Sequence, residues 1–301
     1  MLRIRSLRRQ EIRRTVRGLL FVSPWLLGFL LFTVYPMLAS LYYSLTRYDV
    51  LRPPKFVGLA NYQELFSADD LFRTALYNTV WFVTVAVPAA FVTAFLLAVL
   101  LNQNIRGRSL FRTNFFLPSI TPAVASVMVW LWIYNTQYGL INGVLIALGM
   151  KVIPWLSSPA LAKPSLAIIQ CWSQGTAIVI FLAALQDVPR TLYEAALVDG
   201  ASSLQRFLHV TIPMCTPAML YVLLTGLIDT FQSFLWPWLL TRGGPNNATL
   251  LYSVYLYRSA FEHFKMGYAS AQGWLLFLII VAFATIIFRT SARWVYYGGE
   301  E

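Results

Sequence analysis

Charged side chains are scarce in this 301-residue chain: Asp, Glu, Lys and Arg make up 12% of it, whereas 58% is hydrophobic. So little charge is typical of an integral membrane protein and argues against a water-soluble domain. Cysteine is scarce too, since only Cys171 and Cys215 are present and neither belongs to a CxxC motif. They predict no disulfide framework or metal site, and we interpret them as apolar packing residues.

Catalytic and metal-binding motifs are also missing. The two histidines, His209 and His263, form no His-Glu-x-x-His pair, and the chain has no Gly-x-Ser-x-Gly sequence. None of its four lysines follows a glycine, so the GxxxxGK[ST] loop that binds nucleotide phosphates is absent. The sequence therefore predicts neither an enzyme nor a cofactor in this chain. Active transport would need an ion gradient, or ATP and Mg bound by a separate ATPase chain.

Six apolar windows of about 20 residues are present, and only one of them contains a charged side chain, Asp229. They predict an all-helical membrane domain over residues 18–288, because they lack the alternating pattern of a membrane barrel. The predicted spans are 18–39, 75–101, 113–134, 164–186, 215–240 and 270–288. We interpret the first as a span and not as a secretory signal peptide, because it is longer than a signal's apolar region and no cleavage site follows.

The distribution of arginine predicts the orientation. Seven arginines lie within the first 17 residues, which places that basic tail in the cytoplasm. With six spans, the tail 289–301 and the segment 189–213 are then cytoplasmic as well. The other arginines on this side are Arg106, Arg108, Arg112, Arg190, Arg206, Arg289 and Arg293. The net charge of +11 is thus a topology signal and a means of contacting anionic lipid, and it does not indicate a nucleic-acid partner.

The predicted cytoplasmic segment 189–213 is too apolar for a plain loop. Thr191-x-x-Glu194 and Ser202-x-x-Gln205 have the form of capping boxes, and each predicts a helix start. Gly200 between them suits the left-handed residue that ends a helix. We expect Pro213 and Pro217 to close the second helix. The segment is therefore predicted to be a helix, a glycine turn and a second helix that together form a docking surface.

Outside that segment, Asp229 is the single residue that most strongly indicates a functional position. A carboxylate at mid-span costs about 2.5–3.5 kcal/mol on insertion scales, so it should face the bundle interior or a water-filled cavity. The spacing i, i+4, i+7, i+8, i+11 predicts one polar stripe on the fifth helix, formed by Thr225, Asp229, Gln232, Ser233 and Trp236. A weaker set in the fourth span consists of Gln170, Ser173, Gln174 and Thr176. Both sets suit a translocation path for a polar solute, and polar contact between helices is the alternative.

Several stretches together resemble one family. Glu194-Ala195-Ala196-x-x-Asp199-Gly200-Ala201, followed by Ile212-Pro213, resembles the EAA loop of binding-protein-dependent ABC importer permeases. Stretches similar to the carbohydrate-uptake subfamily are Ser23-Pro24-Trp25, Tyr35-Pro36, Phe56-Val57-Gly58-Leu59-x-Asn61-Tyr62, Phe111-Arg112-Thr113-x-Phe115-Phe116-Leu117-Pro118, Gly139-Leu140-Ile141-Asn142, Leu239-Leu240-Thr241-x-Gly243-Gly244-Pro245 and Gly267-Tyr268-Ala269-Ser270-Ala271. The resemblance runs almost from end to end of the chain.

This resemblance implies a type I ABC importer permease fold in the cytoplasmic (inner) membrane, similar to the maltose-type and glycerol-phosphate-type permeases. The implied partners are a second permease chain, two ATPase subunits and an extracytoplasmic solute-binding protein, and the implied substrate is a sugar or sugar-like solute moved by alternating access. The residues that would dock the ATPase are Glu194, Ala195, Ala196, Asp199 and Gly200. For Glu194 a purely local capping role is the alternative. The rival function is an ion-coupled secondary transporter that uses Asp229.

Overall fold

The computed structural model describes residues 2–104 and 106–296, except for the side chains of residues 2–13 and 15. It divides into two compact units, residues 1–67 with 259–274, and residues 68–258 with 275–301. The end of the predicted tail, residues 297–301, lies outside the described residues. The first unit contains α1 (Leu2–Phe29), a π-helical segment (Leu30–Val34), α2 (Tyr35–Ser44), the antiparallel strands β1 (Thr46–Arg47) and β2 (Lys55–Phe56), and α3 (Ala60–Ser67).

The described part of the second unit consists of helices and the loops that connect them, with no strand. Its helices are α4 (Asp70–Asn102), α5 (Arg108–Ile120), α6 (Ala123–Ile133), α7 (Leu140–Ala147), α8 (Pro159–Trp172), α9 (Gly175–Asp187), α10 (Arg190–Val198), α11 (Ser203–Arg206), α12 (Ile212–Phe231), α13 (Leu235–Thr241) and α14 (Tyr252–Tyr257), with a π-helical segment at Phe207–Thr211. The π-helical segment Arg258–Glu262 and α15 (Met266–Ser291) are divided between the two units.

The helices agree with the predicted spans in part. Four continuous helical stretches are long and apolar enough to cross a membrane, namely Val16–Ser44, Asp70–Asn102, Ser203–Phe231 and Met266–Ser291. Two bent pairs add up to two more, because α5 and α6 meet at 104° and α8 and α9 at 46°. The predicted number of six is reached only if each bent pair is one span. Pro122 stands at the sharper break, whereas α4 runs through Pro88 without interruption.

An apolar cluster fills one end of the second unit. The last turns of α4 and α9 contribute Leu101 and Leu185, and Cys215 lies fully buried among them, which agrees with its interpretation as a packing residue. Tyr193 of α10 and Phe207 of the π-helical segment pack against the same cluster. The segment 189–213 is therefore held against the helix ends by buried apolar area, which contributes about 25 cal/mol per Å².

Two of the stretches that carry the family resemblance meet in the first unit. The buried Asn61 side chain donates to the carbonyl oxygens of Ser44 and Thr46, at 2.8 and 2.9 Å. Gly267 donates its N–H to the Tyr48 oxygen at 3.0 Å, and a Cβ at this glycine would lie only 2.0 Å from the Thr46 oxygen. Asparagine and glycine at these positions thus fix the strand β1 and its flanks.

The stretch Gly139–Asn142 organises the segment between α6 and α8. The fully buried Asn142 side chain donates to the carbonyl oxygens of Thr136 and Ile153, at 3.2 and 2.9 Å. Its Oδ1 accepts from the Ile153 N–H and from Trp155 Nε1, at 3.1 and 3.3 Å. One side chain therefore satisfies several backbone groups of a long connection.

Replacing Asn142 with alanine is expected to loosen this connection without unfolding the chain. The change leaves buried backbone groups unpaired, which costs about 2 kcal/mol and predicts roughly thirtyfold faster hydrogen exchange of amides within residues 134–158. The matched control is Asn114→Ala, at an exposed asparagine on α5. Equal exchange rates in both variants would contradict the organising role of Asn142.

Candidate translocation and docking sites

Residues 190–206, here called the elbow, form a helix, a turn and a second helix start, as predicted. Gly200 has φ +76°, in the left-handed region. Its N–H donates to the Leu197 oxygen at 3.1 Å, and the N–H of Ala201 donates to the Ala196 oxygen at 2.9 Å. These are the two bonds of a Schellman motif, so the glycine ends α10 by satisfying carbonyls that a helix terminus leaves open.

Only one of the two predicted capping boxes exists. Ser202 and Gln205 form both reciprocal bonds at the start of α11. The box at Thr191 and Glu194 was wrong, because the N-cap of α10 is Pro189, two residues before Thr191, and the helix start has no side-chain cap bond. Pro189 presets the backbone for a helix start, so Thr191 lies inside the first turn. The local capping explanation of Glu194 is thereby excluded.

The prediction that Pro213 and Pro217 close the second helix was also wrong. The helix continues from Ser203 to Phe231 over 29 residues. The π-helical segment Phe207–Thr211 precedes Pro213 and widens the helix there, with the Ile212 N–H donating to the Phe207 oxygen. A π turn is a known way to accommodate a proline in a membrane helix. The predicted boundary between segment 189–213 and span 215–240 therefore does not exist.

The elbow presents its predicted docking residues outward. Glu194, Ala195, Asp199 and Gly200 are exposed, and Ala196 is half-buried. Apolar side chains are exposed beside them, with 89% of Val198 and 66% of Leu204 accessible. An exposed apolar patch rimmed by polar groups is typical of a protein-protein contact.

Tyr193 is a residue that the sequence interpretation missed. It lies on α10, and its hydroxyl is 2.9 Å from the Thr211 hydroxyl in the π-helical segment. Its ring belongs to the apolar cluster. Tyr193 thus fixes the elbow on the long helix Ser203–Phe231, and a tyrosine one residue before Glu194 was the available signal.

A cavity of about 770 Å³, with polar groups in a largely apolar wall, lies between α8, α9, α12 and α13. All six residues predicted for a path contribute to its lining, and they are Gln174, Thr225, Asp229, Gln232, Ser233 and Trp236. The weaker set joins them, since Gln170, Ser173 and Thr176 also line it. Asp229 is the sole acidic or basic side chain among the lining residues that the structure describes.

Two helix breaks create this cavity. Ser173 and Gln174 separate α8 from α9, and Gln232, Ser233 and Phe234 separate α12 from α13. Irregular backbone at membrane depth is tolerated only where it is buried in protein or lines a water-filled space. The Ser–Gln and Gln–Ser pairs at the two breaks therefore place amide and hydroxyl side chains, together with non-helical backbone, in the cavity wall.

The prediction of one polar stripe on a single fifth helix was wrong in its geometry. Thr225 and Asp229 lie on α12, Gln232 and Ser233 lie in the break, and Trp236 lies on α13. The i+7, i+8 and i+11 positions hence do not continue one helix face. The break itself turns these side chains towards the same cavity.

Hydrogen bonds tie the two walls together and leave Asp229 exposed. Gln170 Nε2 donates to the Thr230 hydroxyl at 2.6 Å, and that hydroxyl donates to the Gly226 oxygen at 2.6 Å. For the weaker set in the predicted fourth span, the alternative interpretation was polar contact between helices. Gln170 makes such a contact, and its side chain also lines the cavity. In the part of the chain that the structure describes, the Asp229 carboxylate has no ion-pair partner. It can accept hydrogen bonds from a solute.

The described residues contain no group of three or more His, Cys, Asp and Glu side chains that could hold a metal ion. The arrangement offers hydroxyl, amide, carboxylate and aromatic groups. These groups are chemically able to form hydrogen bonds and ring contacts with a polyhydroxylated solute.

Comparison with known proteins gives a consistent result. Residues 75–297 match the model of the family described as binding-protein-dependent transport system inner membrane component. The probable ABC transporter permease protein YesP of Bacillus subtilis is 39% identical, with 100% of this chain and 97% of that protein covered. The lactose transport system permease protein LacF of Rhizobium radiobacter is 36% identical, with 92% and 94% covered. The trehalose/maltose transport system permease protein MalF of Thermococcus litoralis is 33% identical, with 94% and 96% covered.

A solved structure confirms the fold. A chain of the bacterial alginate ABC transporter, in complex with an alginate pentasaccharide-bound periplasmic protein, superposes with a TM-score of 0.84. It is 22% identical, and the match covers 94% of this chain and 96% of that chain. The predicted all-helical importer permease fold is thus confirmed.

Proposed function

The chain belongs to the family of binding-protein-dependent transport system inner membrane components, and from this membership we propose that it is the permease subunit of an ATP-driven sugar importer. It forms half of the translocation path in the cytoplasmic membrane and pairs with a second permease chain. Two ATPase subunits supply the energy, and an extracytoplasmic solute-binding protein delivers the sugar. Relatives named for lactose and for trehalose and maltose transport support a saccharide as the substrate.

The cavity between α8, α9, α12 and α13 is the observation that carries this proposal. Its volume of about 770 Å³ falls in the range of small-molecule sites, and its wall combines Asp229 with hydroxyl and amide groups and with Trp236. Carboxylate and amide oxygens accept bonds from sugar hydroxyls, while an aromatic ring packs against the apolar face of a sugar. The cavity therefore suits a neutral, polyhydroxylated solute.

The exposed elbow is proposed as the surface that docks one ATPase subunit. Glu194 accepts charge-assisted hydrogen bonds from a partner's basic side chain, while the small side chains of Ala195 and Ala196 allow close approach. Asp199 and Gly200 complete the contact. Because the elbow continues without interruption into Ser203–Phe231, a displacement of the elbow moves a wall of the cavity. ATP-driven closure thereby opens the cavity alternately to each side.

Copurification tests this proposal directly. The full chain, tagged at its C-terminus, is isolated from its native membrane and its companions are identified by mass spectrometry. We expect an ATPase and a second permease chain. Isolation of the chain alone in a transport-competent form, with uptake that collapses when the ion gradient is abolished, would instead support the ion-coupled carrier that uses Asp229.

A further inference from the structure

A second, apolar groove of about 270 Å³ lies between the end of α4, α5 and α9, and it shares no lining residue with the larger cavity. Its walls are Leu101, Thr113, Phe116, Gly175, Ile178, Val179 and Leu182, and Arg112 stands beside them. Leu101 and Leu182 also belong to the apolar cluster that packs against Tyr193 and Phe207. The groove therefore lies at the same end of the second unit as the elbow.

Two arginines are held rigidly at the groove. Arg108 Nε and Arg112 Nη2 both donate to the Leu101 carbonyl oxygen, at 2.8 and 3.5 Å. The Gln186 side-chain oxygen, with its amide oriented to satisfy its neighbours, accepts from Arg112 at 2.7 Å and from Arg108 at 3.2 Å. These bonds give the Leu101 carbonyl oxygen, at the end of α4, its hydrogen-bond partners. They also fix both guanidinium groups in place, so the two arginines are preorganised for a ligand.

This pair lacks a negative partner in the described part of the chain. Neither arginine forms an ion pair there, and Arg112 Nε is buried without a hydrogen-bond partner. Arg108 and Arg112 are also i and i+4 neighbours on α5, an arrangement of like charges that destabilises a helix. The first turn of α5 contains no acidic residue, and its N-cap Gly107 offers no side chain. Charge complementarity thus calls for an anion.

We propose that this groove binds one anionic phospholipid, with its phosphate on Arg108 and Arg112 and an acyl chain along Phe116, Ile178 and Val179. Guanidinium groups hold phosphate oxygens by paired, charge-assisted hydrogen bonds. A free phosphate ion would need the arginines but not the apolar walls, whereas a phospholipid uses both. Basic pockets between membrane helices at the cytoplasmic face are known to bind such headgroups.

Lipid retention tests this inference. The complete importer is reconstituted in vesicles of phosphatidylcholine with a minor fraction of phosphatidylglycerol, re-extracted, and its bound lipid is quantified by mass spectrometry. We expect the native protein to retain phosphatidylglycerol, and the double variant Arg108→Gln/Arg112→Gln to bind it about tenfold more weakly. The matched control is Arg289→Gln, at an exposed arginine in the last turn of α15.

A second variant covers the case in which the arginine changes disturb folding. Val179→Trp keeps both arginines and fills the groove, so it should reduce retention to a similar extent. Val129→Trp, at a valine of similar exposure on α6, should not. Equal retention by native protein and both test variants would overturn the proposal. Two other results would also overturn it. If inorganic phosphate displaces the lipid and Val179→Trp has no effect on retention, the occupant is a free anion. If lipid is retained only by chains separated from the partner permease, the partner occupies the groove in the complete importer.

Discussion

Replacing Gly200 with valine is expected to leave the chain in the membrane and to lower sugar uptake by about tenfold or more, while ATP hydrolysis no longer drives import. Gly200 has φ +76°, and no atom lies within 4 Å of a Cβ built there, so the cost is conformational and not a clash. The left-handed conformation costs an ordinary residue about 1–2 kcal/mol, and a β-branched residue at least as much. Valine therefore shifts the turn, and the docking face moves with it. Uptake and ATPase activity of the reconstituted importer are the measurements.

Two variants separate this effect from general damage. Gly200→Asn should retain most uptake, because asparagine tolerates the left-handed region. Gly143→Val on α7 should be harmless, since that glycine also faces open space but has no positive φ. Glu194→Trp tests the same docking surface without changing the glycine turn. Unimpaired transport by both Gly200→Val and Glu194→Trp would eliminate the docking hypothesis.

The elbow was largely predictable because its signals are local. A glycine with a left-handed conformation and a serine-glutamine capping box act within five residues, so sequence alone identifies them. The error at Thr191 arose from Pro189, which starts α10 earlier than the box would. The error at Pro213 arose from the π-helical segment, in which Phe207 packs against the apolar cluster. Tertiary contacts of this kind have no signature in a local pattern.

The residues of the cavity were predicted better than its geometry. A hydropathy window averages over about 20 residues, so the short breaks at Ser173–Gln174 and at Gln232–Phe234 disappear into the predicted spans. The polar residues that line the cavity stood out in the sequence because each is unusual in an apolar window. Their convergence depends on α8, α9, α12 and α13 meeting at the breaks, and no single-helix periodicity contains that information.

The helix breaks bear on the rival function. Interrupted helices around a midplane site are typical of secondary transporters. The breaks beside Gln174 and Gln232 show that interruption does not distinguish the two classes of transporter in this chain. Family membership distinguishes them, because the matching family depends on a binding protein.

Replacing Asp229 with asparagine is expected to reduce uptake by about tenfold while leaving assembly with the ATPase intact. The carboxylate is exposed in the cavity, and hydrogen bonds to a charged acceptor contribute about 1.5–3 kcal/mol, against roughly 1 kcal/mol for a neutral one. Asparagine keeps the size of the side chain and one acceptor oxygen, so the loss reports on charge. Uptake kinetics in proteoliposomes and the yield of copurified ATPase measure the two properties separately.

The control for this change is Asp187→Asn, at an exposed aspartate that ends α9 and does not line the cavity. It removes the same charge, so any general effect on assembly would appear in both variants. If Asp229→Asn transports with normal kinetics, Asp229 does not contact the solute and is a polar packing group, for example against the second permease chain. If the native protein takes up sugar only when an ion gradient is applied, and Asp229→Asn abolishes that uptake, the carboxylate carries the coupling ion. The assignment to ATP-driven import then fails.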